Sequence, residues 1–238
     1  MDRFSGSRHT GSCVRNDAGF TLVEIMVAVF VFAILVTTLF SSFNFLFKNV
    51  DSIRDAGKYH DMAARFQLRF IMDLESAVIS PRAFYIPPEI GEPPDPHRIA
   101  GGLELPGSDG EPAVRFSSLA HLPLYGDSES ETAEIVYYFD PAEGEAGGVV
   151  RRSDRVVHDD DFQASEDDPV VCESVESVSF TFFDQDGDAH EQWDSDSDKF
   201  SRATPRAVGL SFRIAGKSGV FDFGTRVALP AFREKQEE

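Results

Sequence analysis

Apolar and polar positions change rhythm three times along this chain. Residues 1–19 are polar, and the sequence then turns apolar at once: Phe20 to Phe47 reads FTLVEIMVAVFVFAILVTTLFSSFNFLF, with Glu24 as its single charge. A helix needs about 20 such residues to cross a hydrocarbon core roughly 30 Å thick, so this run predicts one membrane-spanning helix over about 20–47. A secretory signal peptide has the opposite order, with the apolar core ahead of a small-residue cut site; here Gly19 precedes the core.

Beyond the span, apolar residues recur at three- and four-residue steps. Phe43, Phe47, Val50 and Ile53 are followed by Met62, Phe66, Phe70, Leu74 and Val78, with Lys58, Arg65, Arg69, Asp73 and Glu75 between them. This is the period of an amphipathic helix, and it predicts one helical segment over 20–80, stopped by Ser80-Pro81 because a residue before proline avoids the helical region. The stripe from Met62 to Val78 is the face expected to dock a globular domain over 81–238. There the rhythm becomes that of strands. Alternating β-branched and aromatic runs cover Ala113 to Ser117, Glu134 to Phe139, Val149 to Arg152, Ser177 to Phe183, Val208 to Ile214 and Val220 to Leu229. The proline-rich stretch 86–98 predicts a loop. The expected class is α+β, a long helix laid on an antiparallel sheet.

Charge narrows the function. The formal charge is -19, which argues against a nucleic-acid partner, since such binding runs on Lys and Arg neutralising phosphates. Three arginines (Arg3, Arg8, Arg15) precede the span and the strongly acidic part of the chain follows it, a bias toward amino terminus in and carboxyl domain out. The two cysteines are Cys13 and Cys172. If residues 1–19 are removed, one thiol remains and no internal disulfide can form; Cys172 reads as a small buried apolar residue in a strand.

The string Gly19-Phe20-Thr21-Leu22-Val23-Glu24, leading into the apolar run, resembles the cleavage and methylation motif of type IV prepilins and of type II secretion pseudopilins. The resemblance implies a pilin-like fold, a leader 1–19 cut after Gly19 by a separate membrane aspartic peptidase, N-methylation of Phe20 as the new amino terminus, and a role for Glu24 in filament assembly. Glu24 also stands out on physical grounds. A lone carboxylate at membrane depth costs at least a few kcal/mol and calls for a cationic partner. The freed amine of Phe20, in the same chain or a neighbour, would supply one. Several pilins carry a proline some seventeen residues past this acid; here Ser41 and Ser42 occupy the stretch.

The carboxyl half, VESVSFTFFDQDGDAHEQW, then TPRAVGLSFRI and TRVALPAF, resembles the J-type minor pseudopilin of type II secretion. That family implies a single-pass inner-membrane protein with a periplasmic domain, I-type and K-type pseudopilin partners at the filament tip, and no cofactor. A minor pilin of a type IV or competence pilus is the alternative within filament proteins, and a membrane-tethered hydrolase the alternative outside them. Asp184, Asp186 and Asp188 suggest a calcium loop, but Gly187 falls two places early for an EF-hand, and a hairpin turn is the plainer expectation. His60, His97, His121, His158 and His190 stand near no recognisable nucleophile motif, so no catalytic residue is expected.

Overall fold

The computed structural model describes residues 19–89, 91–103, 105, 108, 110–121, 132–141, 147–155, 162–217 and 219–235, with the helix backbone alone for 46–53. Helix α1 spans Leu22–Glu75, and the strands follow as β1 (Ala77–Val78), β2 (Ala100–Gly102), β3 (Ala113–Ser118), β4 (Ala133–Asp140), β5 (Gly148–Arg155), β6 (Val170–Phe183), β7 (Ala189–His190), β8 (Trp193–Asp194), β9 (Ala207–Gly216) and β10 (Gly219–Ala228). The chain divides into two compact units, 1–51 and 52–238, and each is described by itself.

In the second unit all strand pairs are antiparallel, in the order β10-β9-β6-β5-β4-β3-β2-β8, with β1 on β3 and β7 on β6. The sheet curls until β2 comes back against β6. At that approach a Cβ on Gly101 would lie 2.5 Å from the Phe182 ring and 2.7 Å from the Ala113 carbonyl oxygen, so only glycine fits. Ala63, Phe66, Phe70 and Leu74 of α1 are buried in the concavity. Phe66 packs against Phe212 and Tyr137, and Phe70 against Tyr137 and Phe180, with ring centroids 5.0–6.0 Å apart. This is the helical stripe expected from the spacing, with one correction at its end. The helix stops at Glu75, not at Ser80-Pro81. Ser76 N–H donates the last helical bond, to Met72, and Ala77 and Val78 extend to pair with Ser118 and Ser117. Two residues of strand pairing thus take the place of the predicted last turn.

The same contact between helix and sheet holds a fully buried carboxylate. Asp73, 0% exposed, accepts from Arg152 Nε at 2.7 Å and from the Tyr137 hydroxyl at 2.6 Å on one oxygen, and its other oxygen is ion-paired with Arg69 Nη2 at 2.8 Å. Arg152 continues to Asp154, which meets His121. Burial, and then the neighbouring Asp73 carboxylate, drive the Tyr137 phenol well above its ordinary range, so it remains a donor.

A second buried network fastens the carboxyl terminus. Arg233, 2% exposed, donates to Asp95 Oδ2 (3.0 Å) and to the Ser195 and Arg202 carbonyls (2.6 and 2.7 Å), while its guanidinium covers the Tyr85 ring at 3.4 Å. The irregular segment around Asp95, which the prolines had marked as a loop, is held by this side chain. Asp196 closes the network by accepting from the Asp95 N–H and the Tyr85 hydroxyl.

Removing one partner of a buried ion network strands the others, so Asp73→Ala is expected to lower stability by about 3–5 kcal/mol. Tyr137→Phe deletes one hydrogen bond to a charged group and should cost less, about 1.5–3 kcal/mol. Denaturant melts followed by near-UV dichroism give both values; equal losses would mean that the carboxylate is not the hub.

Candidate processing and assembly site

Gly19, Phe20 and Thr21 form a short exposed lead-in to α1, and Phe20 is 83% exposed. Among the described residues, its chain neighbours aside, no atom comes within 4 Å of where a Gly19 Cβ would stand. Residues 1–18, which carry the predicted leader, lie outside the described residues.

Glu24 has a geometry that the family motif did not announce. Its Oε2 accepts from Thr21 N–H and from Thr21 Oγ1, both at 3.0 Å, while Thr21 Oγ1 accepts from Glu24 N–H at 3.2 Å. This is a reciprocal capping box, which satisfies donors that the first helical turn leaves unpaired. The Thr-x-x-Glu spacing is the sequence signal for this cap. The cap holds the carboxylate one turn from the Phe20 nitrogen, where an amine would be freed by cleavage after Gly19.

From Leu22 to Phe45 the helix is long and apolar enough to cross a membrane, and no part of that stretch is buried in the chain's own fold. Three of its hydroxyls bond back to the helix: Thr37 donates to the Ala33 carbonyl (2.7 Å), Thr38 to Leu35 (2.8 Å) and Ser42 to Thr38 (3.0 Å). Such back-bonding is what a low-dielectric surrounding demands of a polar side chain. The helix runs on through Ser41 and Ser42.

The calcium candidates are arranged as a turn. Asp184 Oδ1 accepts from the Asp186 and Asp188 N–H groups at 3.0 and 2.9 Å, Gly187 takes φ +89°, and β7 pairs back on β6. Lys235 Nζ then lies 2.6 Å from Asp186 Oδ2 and 3.4 Å from Asp184 Oδ2. Burial pushes the Asp184 carboxyl up, but hydrogen bonds from the Asp188 backbone, His190 and Lys235 outweigh it and hold the group below its ordinary value. An ammonium occupies the position that a cation would need. Among the described residues no group of three or more His, Cys, Asp or Glu side chains converges as a metal site.

Of the histidines, His121 meets Asp154 through Nδ1, and its buried Nε2 has no hydrogen-bond partner among the described residues. His158 lies outside the described residues. Cys172 is buried in β6, and burial, then the nearby Glu173, push its thiol up to about 12.

Residues 14–40 match the family model of the prokaryotic N-terminal methylation motif. A search of curated proteins finds no match to the chain. The chain therefore carries a prepilin-type motif, at the head of an apolar helix and ahead of an α+β unit, a combination that supports the pilin and pseudopilin class. The motif implies processing by a prepilin peptidase and assembly into a pilus-like filament.

Two outcomes are expected. Because Lys235 bridges Asp184 and Asp186, millimolar calcium should leave the melting temperature where an equal ionic strength of sodium leaves it; a selective rise would restore the calcium loop. With Cys13 replaced by serine, Cys172 should react with a disulfide reagent at pH 8 at least about a hundredfold more slowly in the folded than in the unfolded chain, since the thiolate is the reactive form.

Proposed function

We propose that this chain is a minor pseudopilin of the J type, working in type II secretion at the tip of a short periplasmic filament. On this reading it is inserted in the inner membrane with its amino terminus in the cytoplasm. It is then cut after Gly19, methylated on Phe20, and joined to I-type and K-type pseudopilins. It has no catalytic role of its own and needs no cofactor. The observation that carries the proposal is the methylation motif at the head of a helix whose apolar stretch, from Leu22 to Phe45, is unburied among the described residues. Lipid covers such a surface in the membrane, and neighbouring helices cover it in a filament.

The finer assignment draws support from the carboxyl half. Strand β6, the Asp184–Asp188 turn, Trp193 in β8 and the Pro205-Arg206-Ala207-Val208 entry to β9 follow one another in the order that suggested the J type. Glu24 provides the mechanism. Capped on Thr21 before cleavage, it stands ready to take the Phe20 amine, of its own chain or of the subunit below, as a counter-charge in a medium where neither group is well solvated.

Gly19 replaced by a bulkier residue should leave the leader attached, read as intact mass from the membrane fraction. Glu24→Leu should insert and be cut normally yet enter the filament about a hundredfold less well, because an amine would be buried without its partner at about 3–5 kcal/mol. Crosslinking to I- and K-type partners at matched expression reads this out. Equal crosslinking would remove Glu24 from assembly. Crosslinking to type IV pilus subunits in place of I- and K-type partners would move the chain to the pilus alternative.

A further inference from the structure

A cavity of about 360 Å³ opens between β2, β8 and the short 3-10 helix Asp198–Phe200, away from every residue discussed for processing and assembly. That volume lies at the lower end of the range, roughly 300–1,000 Å³, in which small ligands are held. One wall is rigid and apolar. Trp193 stacks on Phe200 with ring centroids 4.2 Å apart and planes 20° from parallel, and its indole N–H is fixed on the Ala203 carbonyl at 3.1 Å. Arg98 and Lys199 also line the cavity, with Lys199 Nζ 5.2 Å from the Phe200 centroid.

Arg98 is the anomaly. Arg69, Arg115, Arg151, Arg152, Arg155, Arg202 and Arg233 are partly or wholly buried, and each lies within 4.0 Å of a carboxylate. Among the described residues Arg98 is the partly buried arginine without one, in a chain with 41 Asp and Glu, and its Nε is shielded from water with no hydrogen-bond partner. A buried N–H donor left unpaired is costly, and an incoming anion that accepts from Nε would relieve that cost. Asp194, also in the lining, accepts the Asp196 N–H at 2.9 Å and so is engaged in its own turn. Its charge disfavours a dianion.

We infer that this cavity is a binding site for a monoanionic carboxylate carried on a flat apolar body, the carboxylate on the Arg98 fork and the body against Trp193 and Phe200. Planar guanidinium matches carboxylate through two parallel hydrogen bonds, and the aromatic pair supplies the contact area. A free aromatic acid and the terminal carboxylate of a partner polypeptide share this chemistry.

Trp193 is the only tryptophan in the chain and lines the cavity, so its fluorescence in the full-length protein in detergent micelles reports occupancy. Phenylacetate should give a saturable change, and phenylacetamide should bind at least about tenfold more weakly, as should inorganic phosphate. Arg98→Met should lose binding by a similar factor, with Arg98→Lys keeping part of it and Arg65→Met all of it. If Arg98→Met does not fold, Lys199→Ala takes its place with a several-fold loss, and the comparison of acid with amide needs no variant. Acetyl-Gly-Phe with a free carboxylate, set against its amide, distinguishes the sources: binding well above that of phenylacetate assigns a polypeptide terminus, and binding at or below it assigns a small acid. Equal binding of phenylacetate and phenylacetamide, unchanged binding by Arg98→Met, or no saturable response at tens of millimolar would overturn the site.

Discussion

The globular unit depends on one buried carboxylate. Asp73 lies near the end of α1 and is held by partners from three places: an ion pair with Arg69 on its own helix, and hydrogen bonds from Tyr137 on β4 and Arg152 on β5. Its backbone carbonyl accepts a further hydrogen bond, from the Ser118 hydroxyl on β3. Phenylalanine packing by itself is non-directional and would tolerate a helix shifted by a turn or rotated by a few tens of degrees. A buried charge does not, because any shift that unpairs one donor exposes the whole desolvation cost. The apolar stripe brings helix and sheet together, and Asp73 fixes which turn meets which strand. Arg233 plays the corresponding part at the other end of the chain, where a segment without regular structure is held by one guanidinium reaching two carboxylates, three carbonyls and an aromatic face.

The sequence was readable where periodicity was long. The helical stripe and the six alternating runs became α1, β3, β4, β5, β6, β9 and β10 with ends displaced by a few residues. The largest displacement is in β6, which begins at Val170 and not at Ser177. Its first half pairs β5 through register shifts, and Ser174 takes φ +56°. A strand that bulges twice has no steady two-residue alternation to read. The four strands without a signal, β1, β2, β7 and β8, are two or three residues long and take their conformation from the partner they meet. Ala100-Gly101-Gly102 has no β-propensity at all; it is a strand because Arg115, Val114 and Ala113 lie opposite and because Phe182 leaves no space for a side chain.

Functional residues divide along the same line. The prepilin-type motif was legible because it is local: the residues proposed for processing and assembly, Gly19, Phe20 and Glu24, lie within six consecutive residues at the head of the apolar run, inside the matched stretch 14–40. Long-range groupings were not. Nothing in sequence joins Asp73 to Arg152, Arg233 to Asp95 or Lys235 to Asp184, with separations of 79, 138 and 51 residues. The Asp-rich turn shows the consequence. Read locally, three aspartates within five residues suggest a cation; in the fold the cation is a lysine from the carboxyl terminus, and the first aspartate is engaged by backbone N–H groups.

The capping box gives the local motif a physical sequence of events. A carboxylate entering an apolar phase alone would be prohibitive, but Glu24 enters α1 already holding the Thr21 N–H and hydroxyl, so its cost is reduced before any partner arrives. Those two donors are neutral. They orient the charge without cancelling it, which leaves an electrostatic vacancy beside the position where cleavage would create a cation. An uncut leader supplies an amide at Phe20 in place of an ammonium and cannot fill that vacancy. On this account processing does more than shorten the chain. Cleavage after Gly19, as proposed, would create a cation able to neutralise Glu24, and a filament that buries the helix head would then discriminate cut from uncut subunits by the energy of a single ion pair.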